Sequence, residues 1–186
     1  MKKIFFTSDH HFGHENIIRF CNRPFKDVEE MNRVMIERWN EKVGAEDEVY
    51  HLGDFALLKD HSQLPEIIDQ LNGVKYLITG NHEATAITNR RKFKWIKDYY
   101  ELKVKDPEKS NGVQRIILFH YAMRVWRGSG RDNWHLYGHS HGNLPDLEDS
   151  LSFDIGVDNH DFYPLSYEEV KAIMKTKNRV SPYNKS

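Results

Sequence analysis

Residues 3–8 read KIFFTS, a run of apolar and β-branched side chains that stops at Asp9 and two histidines. Such a run is typical of a buried strand in a parallel sheet. Two similar runs follow, EVYHL at 48–52 before Gly53-Asp54 and VKYLIT at 74–79 before Gly80-Asn81. Helical patterns separate the three runs, so we predict right-handed strand–helix–strand crossovers and a parallel sheet.

The helices and the later strands also have recognisable signals. Asp27 with Glu30 is typical of a helix start, and apolar residues follow it at helical spacing: Val28, Met31, Met35 and Trp39. The second helix has Pro65 in its first turn and Gly73 just past its end. Further on, the pattern predicts a hairpin over 99–105 and 113–119, strands at 134–137 and 152–155, and a last helix capped by Ser166 and Glu169.

Composition narrows the class of protein. The chain has 186 residues, 39% of them hydrophobic, which predicts a single domain over 1–186. The 27 Lys and Arg residues nearly balance the 28 Asp and Glu residues, so no global charge indicates a nucleic-acid or membrane surface. Cys21 is the one cysteine, which favours a cytoplasmic protein without disulfides. No apolar stretch approaches the roughly 18 residues of a membrane span.

Residues that bind divalent cations follow five of the predicted strands. In open α/β sheets, ligands gather outside the carboxyl ends of the strands, so these side chains are expected to share one crevice. We predict a metal site formed by Asp9, His11, Asp54, Asn81, His120, His139 and His141.

The number and type of these side chains predict two divalent ions rather than one. Seven ligands are too many for one tetrahedral ion, and imidazole with carboxylate but no thiolate suits Mn, Fe, Zn or Ni, with Mn favoured. Two ions sharing a carboxylate at about 3.5 to 4 Å is the two-metal hydrolase arrangement. Two such ions with Asp9 and Asp54 would leave a site with net positive charge, which attracts phosphate.

The ordered segments Asp9-His10-His11, Gly53-Asp54, Gly80-Asn81-His82-Glu83, His120 and Gly138-His139-Ser140-His141 resemble the five motifs of the calcineurin-like metallophosphoesterase superfamily. The resemblance implies a four-layer α/β/β/α sandwich with mixed sheets. It also implies hydrolysis of phosphomonoesters or phosphodiesters by a metal-bridging hydroxide, with His82 as general acid. It places Asp9, His11 and His141 on one ion, Asn81, His120 and His139 on the other, and Asp54 between them.

Other segments resemble a group of small phage-like and bacterial phosphoesterases: DHHFGHENI at 9–17, NRPF at 22–25, FHYAMRVW at 119–126 and HLYGHSHG at 135–142. Protein phosphatases of the superfamily carry an arginine before the Gly-Asn-His motif, where this chain has Thr79, and Asp-Arg-Gly after the second motif, where it has residues 55–57. A phosphoprotein substrate is therefore disfavoured. The expected substrate is a phosphorylated small molecule, a nucleotide or a nucleic-acid end.

Several roles stay open at this point. Substrate contact is the hypothesis for His14, Arg23 and Arg124, while Trp126 with Arg127 and Arg131 either stacks on a base or only packs. His51 is expected to pack inside its strand, and surface or loop positions are expected for His61, His135 and His160. Two other functions compete with hydrolysis of phosphoesters: a catalytically weak, metal-bound interaction scaffold, and a hydrolase acting on a non-phosphate ester.

Overall fold

The computed structural model describes residues 2–177, and its first half forms one sheet with helices between the strands. The elements in chain order are β1 (Ile4–Thr7), α1 (Glu15–Phe20), α2 (Val28–Lys42), β2 (Glu48–His51), α3 (Leu64–Gln70), β3 (Val74–Ile78), α4 (Ala84–Thr88) and β4 (Ile96–Lys97). Their order in the sheet is β4-β3-β2-β1, and each neighbouring pair is parallel. The predicted parallel crossovers are therefore confirmed.

The second half forms another sheet and returns one strand to the first. Its elements are β5 (Tyr99–Lys105), β6 (Val113–Phe119), β7 (Trp134–Tyr137), β8 (Ser152–Asp154), β9 (Leu165–Ser166) and α5 (Tyr167–Thr176). The hairpin β5-β6 is antiparallel, as predicted, and β6, β7 and β8 run parallel. Strand β9 pairs antiparallel with β1, so both sheets are mixed. The prediction of an α/β chain with mixed sheets is confirmed.

The helix signals have the expected structural basis. The Asp27 side chain accepts a hydrogen bond from the backbone N–H of Glu30, which satisfies a free donor at the start of α2. The apolar face of this helix is buried at Met31, Met35 and Trp39. At the start of α5, Ser166 and Glu169 form a capping box.

Alternation along β1 divides the core into two clusters. Phe5 packs with the buried face of α2, whereas Phe6 packs with residues of the second sheet such as Leu118 and Leu136. Because successive side chains of a strand point to opposite faces, the first sheet has helices against one face and the second sheet against the other. This packing fixes the two sheets relative to each other and brings their strand ends together.

Some positions differ from the sequence prediction. The short strands β4 and β9 and the short helices α1 and α4 were not predicted. His135, expected at the surface, is fully buried in β7 because its strand lies between β6 and β8. His51 is buried as predicted. Across residues 2–177, no helix combines the length and the hydropathy required to cross a bilayer.

Candidate metal centre

The predicted ligands lie within four residues of the carboxyl ends of β1, β2, β3, β6 and β7. Five of them have left-handed backbone conformations, with φ between 46° and 68°: Asp9, His11, Asp54, His139 and His141. Such values cost energy in residues other than glycine and concentrate at functional sites. The tight turns aim several side chains from neighbouring strand ends into one crevice.

One group consists of Asp9, His11 and His141. Each offers one ligand atom, and these three atoms lie within 4.8 Å of one another. Asp9 is fully buried and His11 nearly so, whereas His141 is half-buried. Asp9 and His11 follow β1 of the first sheet and His141 follows β7 of the second, so the ends of the first and fifth motif-bearing strands meet at this group.

A second group consists of Asp54, His120 and His139, whose ligand atoms also lie within 4.8 Å of one another. Asn81 joins it, with its Oδ1 atom 3.2 Å from His120 Nε2. Asp54 connects the two groups, because its Oδ2 atom lies 3.4 Å from His11 Nε2 and 3.7 Å from His120 Nε2. The structure therefore brings all seven predicted ligands into one cluster with Asp54 in the middle.

Backbone N–H groups and two glycines allow the carboxylates of Asp9 and Asp54 to lie close to the main chain of neighbouring strand ends. The backbone N–H of His139 donates to the Asp9 carboxylate at 3.0 and 3.1 Å, and that of His82 donates to Asp54 Oδ1 at 2.8 Å. A Cβ atom at Gly138 would collide with the Asp9 carboxylate, and one at Gly80 would collide with Asp54. Glycine before each of these motifs is therefore a steric requirement of the cluster.

The ring nitrogens fit a metal-binding role. The Nδ1–H group of His120 donates to the carbonyl oxygen of Leu52 at 2.7 Å, which leaves Nε2 with its lone pair facing Asn81 and Asp54. For His11, both ring nitrogens are buried and have no hydrogen-bond partner among the described residues. Buried polar atoms are normally paired, so the unpartnered imidazole is consistent with a cation as its missing partner.

The electrostatics of the cluster indicate the same chemistry. Burial raises the pKa of Asp9 to about 8, and the nearby Asp154 and Asp54 carboxylates act in the same direction. Burial, with His141 nearby, lowers the pKa of His11 to about 2, so its imidazole is neutral. A neutral imidazole is the form that binds metal, and a divalent cation would favour the charged form of Asp9.

Two more histidines lie beside the cluster. His82 is exposed, and its ring centroid lies 5.7 Å from that of His11. His14 is half-buried, and its ring lies 5.3 Å from that of His11 and 6.5 Å from that of His82. Among the described residues the buried Nδ1 atom of His14 has no hydrogen-bond partner. Both side chains are thus placed where a molecule bound at the cluster would contact them.

The structure contradicts the predicted substrate contact of Arg23. Its side chain has no exposed surface and forms an ion pair with Asp158 at 2.8 Å, because the NRPF segment folds back beneath the first strand end. Arg124 is exposed, in the segment that joins β6 to β7. In the same segment Trp126 is buried and its Nε1–H donates to the carbonyl oxygen of Asn133, which favours packing over stacking on a base.

Three residues near the cluster were not predicted. Asp158 accepts a hydrogen bond from His141 Nδ1 at 2.7 Å, and the ring of Tyr121 packs 4.7 Å from that of His139. Glu83 is buried and accepts from the backbone N–H of Phe55 at 3.1 Å. Asp158 follows the strand predicted at 152–155, so the strand-end rule applied to the first five motifs could have found it.

The chain is similar to proteins whose names state no activity. No protein-family model matches the chain. It is 34% identical over 186 residues to the uncharacterized protein MJ1445 of Methanocaldococcus jannaschii, with 95% of this chain and 94% of that protein covered. It is also 27% identical over 199 residues to the Gene 66 protein of Mycobacterium phage D29, covering 94% of this chain and 96% of that protein.

A solved structure has a similar fold. The crystal structure of the protein of unknown function AQ665 from Aquifex aeolicus matches with a TM-score of 0.69, over 93% of this chain and 100% of that chain. At 23% sequence identity this likeness concerns the fold alone. The similarity to MJ1445, in contrast, extends over nearly the whole of both sequences, and the chain belongs to the same protein family as MJ1445 of Methanocaldococcus jannaschii.

Proposed function

We propose that the chain is a dinuclear metal-dependent phosphoester hydrolase of the calcineurin-like metallophosphoesterase superfamily. The observation that carries the proposal is the meeting of two sets of ligating side chains at one carboxylate, that of Asp54. The two mixed sheets that share an apolar cluster support the finer proposal of a four-layer α/β/β/α sandwich.

Each part of the cluster has a role in this proposal. Asp9, His11 and His141 would hold the first ion, Asn81, His120 and His139 would hold the second, and the Asp54 carboxylate, which lies near a histidine of each set, would be shared between them. Two divalent ions bound there would supply a water nucleophile activated near neutral pH and would offset charge on the phosphoryl oxygens. The ligand chemistry suits Mn, Fe, Zn or Ni, with Mn favoured.

His82 is the proposed general acid. Its backbone N–H is tied to Asp54 Oδ1, so the residue is anchored to the cluster while its ring remains exposed at the rim. From there a protonated imidazole donates its proton to the departing oxygen of the substrate. His14 lies beside this ring, where it would contact a bound phosphoester.

The proposed substrates are phosphorylated small molecules, nucleotides and nucleic-acid ends, in a cytoplasmic setting. The ring of Tyr121, 38% exposed and packed on His139, offers an apolar surface beside the second ligand set on which a base can stack. Hydrolysis rates measured with added Mn²⁺ would distinguish a monoester from a diester preference. The substrates for this screen are p-nitrophenyl phosphate, bis-p-nitrophenyl phosphate, 2′,3′-cyclic nucleotides and single-stranded oligonucleotides.

The decisive test is Asp54→Ala. Because both ligand sets use this carboxylate, we expect the variant to lose both ions in elemental analysis and most of its hydrolytic activity. Asp69→Ala is the matched control, since Asp69 is exposed on α3 and pairs with Lys92. Two tightly held ions in Asp54→Ala would contradict the shared carboxylate, and a metal-loaded wild type without turnover on any of these substrates would favour an interaction scaffold instead.

A further inference from the structure

The Arg23 side chain is buried, and all of its donor groups are used. Its Nε–H and one Nη2–H bind the two carboxylate oxygens of Asp158, at 2.8 and 2.9 Å. The other Nη2–H donates to the backbone carbonyl of Asp9 at 2.7 Å, and Nη1 donates to the carbonyl of His10 at 2.9 Å and to the Met31 sulfur at 3.5 Å. A guanidinium has five N–H groups, so none is left for another partner.

Asp158 connects this guanidinium to a proposed metal ligand. Its Oδ2 atom accepts from His141 Nδ1 at 2.7 Å as well as from Arg23. The segment that carries Asp158 is itself fixed to the first strand end, because the backbone N–H of Val157 donates to the carbonyl of Ser8 at 3.1 Å. A single network of hydrogen bonds therefore holds the backbone of Asp9 and the ring of His141.

We infer that Asp158 and Arg23 are a positioning pair for the first ion, an inference that rests on the proposed metal centre. The carboxylate of Asp158 keeps the proton of His141 on Nδ1, so Nε2 carries the lone pair that would bind the ion. The fork of Arg23 fixes the carboxylate in turn. As an ion pair the two side chains add no net charge to the centre, so they orient ligands without changing its attraction for phosphate.

The second ligand set is held by other groups, so the positioning role of Asp158 and Arg23 is confined to the first ion. The Nδ1 atom of His120 is held by the backbone carbonyl of Leu52, not by a side chain. Among the described residues, neither Asp158 nor Arg23 forms a hydrogen bond or an ion pair with Asp54, His120 or His139. Loss of the pair is therefore expected to weaken one of the two ions selectively.

The test measures Mn²⁺ binding alone, by calorimetric titration, and needs no substrate. Asp158→Asn is expected to weaken one of the two Mn²⁺ sites by about 10- to 100-fold, the usual effect of losing the carboxylate partner of a ligating histidine. In a protein that already carries His139→Ala, only the first site remains, and Asp158→Asn should lower its Mn²⁺ affinity by the same factor. In a protein that already carries His11→Ala, only the second site remains, and Asp158→Asn should leave its Mn²⁺ affinity unchanged.

Further variants protect this test against misfolding. Asp158→Asn leaves the buried Arg23 without its anionic partner, which could lower the yield of folded protein. The double variant Arg23→Gln/Asp158→Asn removes both charges and should show the same selective loss of Mn²⁺ affinity. Asp161→Asn and Arg33→Gln, both at exposed positions, are the matched controls with two unchanged sites. Equal weakening of both sites, or no weakening, would overturn the positioning role while leaving the metal centre intact. A wild type that binds no Mn²⁺ would overturn the metal centre itself.

Discussion

His135 links the stability of the chain to pH in a way that can be measured. Its ring is buried in β7 between Trp126 and Tyr137, at centroid distances of 5.4 Å from each. Nδ1 donates to the carbonyl of Ile117 at 3.1 Å, and Nε2 accepts from the backbone N–H of Met123 at 3.2 Å. Burial lowers the pKa of His135 to about 4, so the folded protein keeps the ring neutral. Replacement by Gln removes the titrating group while retaining a donor and an acceptor.

The direction and size of this pH effect on the free energy of unfolding follow from the pKa values of His135 in the unfolded and folded states. In the unfolded chain the ring takes up a proton below its ordinary pKa of 6.5, whereas in the folded protein it does so only near 4. The unfolded state thus binds more protons between these values, and stability falls as the pH falls through this window. From pH 7.5 to pH 4.5 the loss due to His135 alone is about 2.5 kcal/mol, at about 1.4 kcal/mol per pH unit.

Urea unfolding followed by tryptophan fluorescence, in EDTA at several pH values, checks this expectation. The free energy of unfolding of the wild type should fall by about 2.5 kcal/mol more than that of His135→Gln between pH 7.5 and 4.5. His135→Leu serves as control, because it differs from the Gln variant in absolute stability but should show the same flatter pH dependence. Parallel curves for the wild type and both variants would refute the assignment of a neutral, buried imidazole.

Two further predictions concern the rim of the site and the last helix. His82→Ala should keep both ions, measured by elemental analysis, and lower turnover by roughly 10²- to 10⁴-fold on alkyl phosphates. The loss should be smaller on p-nitrophenyl esters, whose leaving group needs no proton, and equal losses on both would exclude proton donation. Lys171→Met should lower the free energy of unfolding by about 3 kcal/mol or more, because it leaves the buried Asp106 carboxylate, 2.9 Å from Lys171 Nζ, without its cation. Thermal and urea unfolding measure this change, and a cost below about 1 kcal/mol would mean that the bonds from Tyr167 and the backbone suffice.

The main elements were predictable because their signals are local. The apolar run at 3–8 and the capping residues Asp27 and Ser166 depend on a few neighbouring side chains, and the structure has the strand and the two helices there. The two-residue strand β9 has no such signal, because its pairing with β1 depends on where the chain returns 158 or more residues later. Its sequence, Leu165-Ser166, is too short to show a period.

For the site, the sequence indicated which side chains gather but not how they are held. Strand ends and residue types were enough to group Asp54 with His11 and His120. The role of Arg23 was misassigned, since its partner Asp158 lies 135 residues away and only the fold brings the two together. Burial of His135 likewise depends on its central place in the second sheet, which the local sequence does not encode.

The left-handed turns at five of the proposed ligands restrict how the sequence can change over evolution. Asp, Asn and His tolerate such φ values better than most residues, whereas β-branched side chains are nearly excluded from them. A descendant that had lost its ions would be free to replace these residues by glycine, which adopts the same backbone without strain and would stabilise the fold. Aspartate and histidine retained at positive φ at several adjoining strand ends are therefore a backbone signature of selection for binding, which can be sought in other structures without any motif.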